Sequence, residues 1–235
     1  VDIIGEGGDA PEADPGQQRA RGQIVRVDRC DEARHAVLDV GPADQRDQRF
    51  ACQALPAVAR VDRVADLDRV GRAVEEMDYY WYEDPLADQD IYNYVKLKQQ
   101  LSIPIMATEY PQTGLDSYQP WIMLQATDFL RGDVAVKGGI TTLVKTAHLA
   151  ESFRMNYEVH HGGNSLNNVA NLHVIASMKN TSFFEVLLPD AAQKYGLEQD
   201  IVVGRDGLVH VPNGPGLGAA IDFKLIERKK VAVLT

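Results

Sequence analysis

Across residues 79–185 short apolar runs alternate with longer amphipathic ones, and five of the short runs close on an acid or a histidine. They are YYWYE ending at Glu83, IPIMATE at Glu109, FLRGD at Asp133, NYEVH at His160 and SFFE at Glu185. The steps between those ends are 26, 24, 27 and 25 residues. That period suits one strand, one helix and two short loops, the unit of a parallel α/β fold. Parallel strands would bring all five ends to one rim, and in a (β/α)8 barrel the C-terminal rim carries the chemistry.

The amphipathic runs supply the helices. Leu67, Val70, Val74 and Met77 form a 3.6-residue stripe leading into the first of these strands, and Ile91, Tyr94, Val95, Leu97 and Leu101 form the next. Residues 118–124 read as a short helix. Gly138 and Gly139 read as a tight turn rather than a phosphate cradle, with Thr141 or Thr142 capping a helix through Ala150. Leu166, Val169, Ala170, Leu172, Ile175 and Ala176 share a face of another helix. Further on, a hairpin is expected around Arg205-Asp206-Gly207, then a Pro/Gly loop over 212–218.

Residues 1–65 lack this order. Eleven arginines and no lysine precede Lys96, and Phe50 is the only aromatic before Tyr79. No strand–helix unit assembles there. Two readings stand: a disordered Arg/Asp/Gly-rich extension, or a stretch out of frame with the remainder of the chain. The organised unit is therefore expected over 66–235, a parallel α/β unit behind an irregular N-terminal segment.

Composition narrows the partners. A net charge of −10 over 235 residues argues against nucleic acid or an anionic membrane as partner. Two isolated cysteines, Cys30 and Cys52, fit a reducing compartment rather than a disulfide framework. No apolar run is long enough to span a bilayer, and the first residues do not resemble a secretion signal. A cytoplasmic protein is expected.

Glu83 and Glu109 end neighbouring strands, so their carboxylates could share a hard cation such as Mg²⁺, which prefers oxygen. Either could equally be a solvated loop acid. His160 stands one β/α unit after Asp133, close enough for that carboxylate to orient the imidazole and raise its basicity. Asp133 could also cap the Gly138-Gly139 turn. Glu185 follows two phenylalanines and reads either as a partly desolvated acid, protonated and donating a hydrogen bond, or as an ordinary loop acid.

WYEDP, ATE, GDVAVKGGIT, EVHHG, FFE and VPNGPGLG, in that order, resemble the C-terminal barrel of the enolase superfamily, in its mandelate racemase/muconate lactonising branch. The resemblance covers roughly 67–222 and implies an incomplete (β/α) barrel of that type, with an irregular N-terminal segment before it. It implies Mg²⁺-dependent removal of the proton α to a carboxylate through a metal-stabilised enediolate. Glu83 and Glu109 resemble metal ligands, Asp133 and His160 the Asp–His dyad, and Glu185 the acid that hydrogen-bonds the substrate carboxylate. Many members of this branch dehydrate acid sugars, which makes a hydroxy-carboxylate the expected substrate and a dehydratase or racemase the expected activity.

Three family features are missing from the pattern. The first metal ligand would fall near Ala57 or Val58, with Asp62 the nearest acid; no Lys-x-Lys pair precedes Lys96; and no capping domain is recognisable. A truncated, inactive relative with a structural or assembly role is therefore the competing expectation. An exposed barrel edge favours a homo-oligomer.

Overall fold

The computed structural model describes residues 23–29, 36–39, 51–53, 64–109, 114–162, 164–186, 194–205 and 208–231. Ala57, Val58 and Asp62 lie outside these residues.

The centre is a five-stranded parallel sheet in the order β3 (Ala51–Gln53), β4 (Trp81–Glu83), β5 (Ile105–Ala107), β6 (Phe129–Gly132), β7 (Asn156–Val159). Helices α1 (Val64–Glu76), α2 (Ile91–Gln100), α3 (Gln119–Met123), α4 (Val134–Lys137), α5 (Ile140–Ser152) and α6 (Ser165–Ser177) fill the connections. This is the α/β arrangement expected of the enolase-superfamily barrel. In register, Gln53 pairs with Glu83 along the β3–β4 ladder.

The eighth strand departs from the expected ladder. β8 (Phe183–Val186) pairs antiparallel with β1 (Gln23–Arg29), which also pairs with β2 (Ala36–Asp39). It still runs alongside β7. The Glu158 carboxylate accepts the Ser182 and Phe183 N–H groups, and the His161 N–H donates to Glu185. Side-chain anchoring takes the place of a strand ladder here and keeps Glu185 on the common rim.

Alternation along the strands sorts the side chains. Trp81 meets Phe129 and Phe183 edge to face, while Tyr80 meets Phe183 edge to face and stacks on Phe129. Glu83 and Arg131, two residues further along their strands, lie one layer higher, and Trp81 Nε1 donates to Glu83 at 2.9 Å. The opposite strand faces feed the apolar core, where Tyr82, Ile105, Leu130 and Tyr157 pack among Leu97, Trp121, Leu143 and Leu172. Burial of such side chains contributes roughly 1.5–3 kcal/mol each.

Helix ends follow local chemistry. Asp90, Asp133 and Asn164 cap α2, α4 and α6 by accepting N–H groups two or three residues on. For α5 the cap is Gly139, not a threonine, and Thr142 instead donates to the Gly138 carbonyl. Gly138 and Gly139 both have positive φ (95° and 97°), which confirms the tight turn. Met77 leaves its expected stripe and is exposed because α1 ends one residue earlier, whereas Leu67 and Val74 are buried. The expected hairpin at 201–211 shows no strands among its described residues. It is reduced to the Gly204 N–H to Leu208 carbonyl bond, and Asp206 and Gly207 are outside the described residues. The last helix, α7, spans Phe223–Lys229. Among the described residues no helix is long and apolar enough to cross a membrane.

Candidate functional site

All five predicted residues converge. Glu83, Glu109, Asp133 and His160 end β4, β5, β6 and β7 and are at most 7% exposed; Glu185 lies on β8. His160 joins the two halves of the site. Its Nδ1 lies 3.1 Å from Asp133 Oδ2, and its Nε2 lies 3.2 Å from Glu109 Oε1. Burial alone would push the imidazole's pKa down, but the Asp133 hydrogen bond and the charge on Glu185 carry it above the usual histidine value. Asp133 moves the other way. Burial would raise it, yet donors from His160, Asn167 and the Ala135 N–H hold it below the usual carboxylate range.

Two asparagines on α6 complete this pair. Asn167 Nδ2 reaches both Asp133 oxygens at 3.0 Å. Asn171 donates to the His160 carbonyl at 2.9 Å and accepts the Val134 N–H at 2.9 Å. Positions 167 and 171 are four apart and therefore share one helix face. That spacing was the available signal, hidden because the same face reads as apolar.

Motif reading also missed Arg131. It lies two before Asp133, on the same strand face, and is 2% exposed. Its Nε stands 3.3 Å from Glu83 Oε1 and 3.5 Å from Glu109 Oε2, and its Nη2 contacts Glu185 at 2.5 Å. This changes the expectation for Glu185. Burial would raise its pKa, but Arg131, His160 and the His161 N–H outweigh burial and hold it below the usual glutamate value. The Arg131 guanidinium and the His161 N–H both donate to Oε2, so the carboxylate accepts here instead of donating. Glu83, by contrast, is raised by burial despite Arg131.

Asp84 adds a third carboxylate. One ligand atom each from Glu83, Asp84 and Glu109 lie within 4.8 Å of one another. Burial and the charges of Glu83 and Glu109 push Asp84 well above the usual aspartate value. Its φ of 40°, and the 91° of Thr108 just before Glu109, are strained for residues with side chains. Each costs on the order of 1–3 kcal/mol, and such strain concentrates at functional sites. Glu109 is fully buried, and neither of its oxygens receives a hydrogen bond from the described residues. An orphaned carboxylate beside two more suits a hard divalent cation, which takes oxygen ligands and would satisfy those lone pairs.

Lys137, at the end of α4, is buried with its ammonium 4.8 Å from the Tyr118 ring centre. Burial pushes its pKa down to about 8, against the pull of Asp88, Asp84 and Glu109.

The sequence model of the enolase C-terminal domain-like family matches residues 27–225. The chain belongs to that family. Among solved structures, the D-glucarate dehydratase from Agrobacterium tumefaciens complexed with magnesium superposes on this enolase-like chain with a TM-score of 0.67 and 33% identity, covering 82% of this chain and 48% of that one. A D-galactonate dehydratase family member from Streptomyces bingchenggensis is 30% identical over 165 residues, 68% of this chain and 39% of the relative. The arabinonate dehydratase of Saccharolobus solfataricus is 25% identical over 161 residues, 68% and 43% respectively. The chain thus spans less than half the length of the curated relatives it matches.

Proposed function

We propose that this enolase-like chain removes the proton α to the carboxylate of an acid sugar and expels the β-hydroxyl, an acid-sugar dehydration. Glu83, Asp84 and Glu109 would hold one Mg²⁺. That ion would supply positive charge to the substrate carboxylate as it becomes an enediolate. His160 Nε2 takes the α-proton, while Asp133 holds Nδ1–H so that Nε2 stays the free lone pair. The protonated imidazole then returns a proton to the departing hydroxyl, which leaves as water, and the remaining enol tautomerises to a 2-keto-3-deoxy acid. The α C–H and β C–O bonds break and one C=C forms, so the atoms balance without an oxidant or reductant. Glu185, held ionised by Arg131, accepts hydrogen bonds from substrate hydroxyls.

The observation that carries this reading is the orientation of His160, with one nitrogen on Asp133 and the other turned to Glu109. A structural histidine would have no need to face the acid cluster. The test is incubation with Mg²⁺ and a panel of aldonates and aldarates in D₂O. Deuterium at the α-carbon or 2-keto-3-deoxy product, lost in His160→Asn, supports the reading. Absence of both from a folded chain, across the whole panel, would leave a family member without the family's chemistry.

A further inference from the structure

Three carboxylates surround the Arg131 guanidinium, yet they are held unequally. The contact with Glu185 is short and hydrogen-bonded, whereas Nε approaches Glu83 and Glu109 at 3.3 and 3.5 Å without an aligned hydrogen bond. Charge, rather than hydrogen bonding to Nε, gathers these two acids. Apart from the Trp81 donor on Glu83 Oε2, their lone pairs stay available to another cation. The arginine itself is immobilised. Its N–H donates to the Thr108 hydroxyl at 2.9 Å, and its carbonyl accepts from Thr108 at 2.9 Å and from Tyr118 at 3.2 Å. Met106 Sδ lies 3.9 Å from Nη1.

One guanidinium among three glutamates leaves a formal charge of −2, and the adjoining Asp84 carboxylate makes it −3, which a divalent ion would offset in large part. We propose that Arg131 is a resident counter-cation: it keeps Glu83, Glu109 and Glu185 gathered whether or not a divalent ion is bound, and it competes with that ion for the two acids they share. Arg131 is thus a positioning residue acting through the glutamates. The proposal rests on the divalent-ion reading above. Without the guanidinium, three buried acids would be uncompensated until a metal arrived. Folding and metal binding would then become linked.

Calorimetric titration of Mg²⁺ into the unsubstituted chain, Arg131→Gln and Arg131→Lys tests this, alongside melting curves with and without Mg²⁺. Arg131→Gln should bind at least about tenfold more tightly, because a repelling charge is gone. Its melting temperature should rise more on adding Mg²⁺ than that of the unsubstituted chain. Arg131→Lys keeps the charge and should stay within about threefold of the unsubstituted affinity. If Arg131→Gln is unfolded in metal-free buffer, refolding on Mg²⁺ addition reports the same linkage. A chain still unfolded at saturating Mg²⁺ overturns the exchange. Equal or weaker affinity in Arg131→Gln, with the same melting loss in both buffers, overturns the proposal and leaves the divalent-ion reading standing. No Mg²⁺ binding by either the unsubstituted chain or Arg131→Gln sinks both.

Discussion

Asp133 and His160 meet across the β6–β7 ladder with Oδ2 and Nδ1 3.1 Å apart. The same aspartate caps α4 through the Ala135 N–H at 2.7 Å. The two roles respond differently to substitution. Asn at 133 keeps an acceptor for the cap but removes the charge that orients the imidazole. Asp133→Asn should therefore melt within a few degrees of the unsubstituted chain while the proposed dehydration falls ~10²–10⁴-fold, the usual worth of a positioned acid–base group. Circular-dichroism melts and steady-state turnover separate the two. A parallel loss of stability and activity would mean that the pair is mainly structural.

The five rim residues were legible because each closes an apolar run, and a run's last residue marks a strand end. Arg131 was not, although it shares Asp133's strand face; an arginine inside a strand reads as an edge residue unless several acids are known to surround it. Asp84 was hidden by parity. A residue following Glu83 should face away, and only its positive φ turns it back beside Glu83 and Glu109. The antiparallel pairing of β8 with β1 could not be foreseen either, since the region holding β1 carries no periodicity. Its register brings Glu185 opposite Ile24.

Asn171 is fully buried and satisfies two backbone groups of the dyad's own loops, the Val134 N–H and the His160 carbonyl. Truncation to Ala strands both. Each unsatisfied buried group costs roughly 1–3 kcal/mol, so Asn171→Ala should lose about 2–4 kcal/mol by urea denaturation. Asn167→Ala should lose less stability, because Asp133 retains its other donors. A loss below about 1 kcal/mol for Asn171→Ala would show that water or rearrangement replaces the amide.

Gly132 precedes Asp133 where two tyrosines close over the strand. A Cβ there would lie 2.2 Å from the Tyr157 hydroxyl and 2.4 Å from that of Tyr118, and these hydroxyls hydrogen-bond each other at 2.9 Å. Both tyrosines are fully buried, so neither ring can swing aside cheaply. Gly132→Ala should cost about 1–3 kcal/mol through overpacking. Tyr157→Phe removes the nearer oxygen, so the Gly132→Ala/Tyr157→Phe pair should be more stable than the sum of the single effects. Strict additivity in denaturant titrations would place the strain elsewhere.

His161 sits next to the dyad but behaves oppositely to His160. It is 1% exposed, its ring lies 4.2 Å from that of Phe184, and neither ring nitrogen has a hydrogen-bond partner among the described residues. Burial pushes its pKa down to about 3, against the pull of Glu185. The folded chain therefore keeps this imidazole neutral at pH values where the unfolded chain protonates it. Below the unfolded value of roughly 6.5 the unfolded state binds the extra proton, so the neutral ring's stability contribution declines as pH falls from there toward the folded value. The slope for one proton is about 1.4 kcal/mol per pH unit. Phe at 161 retains a ring packed against Phe184 and cannot titrate. His161→Phe should match the unsubstituted chain's pH dependence between pH 7 and 8 and then lose stability more slowly, the difference widening by about that slope per unit from pH 6 to 4.5. Superimposable stability–pH curves for the two chains would show that His161 finds a proton-accepting partner in the folded state.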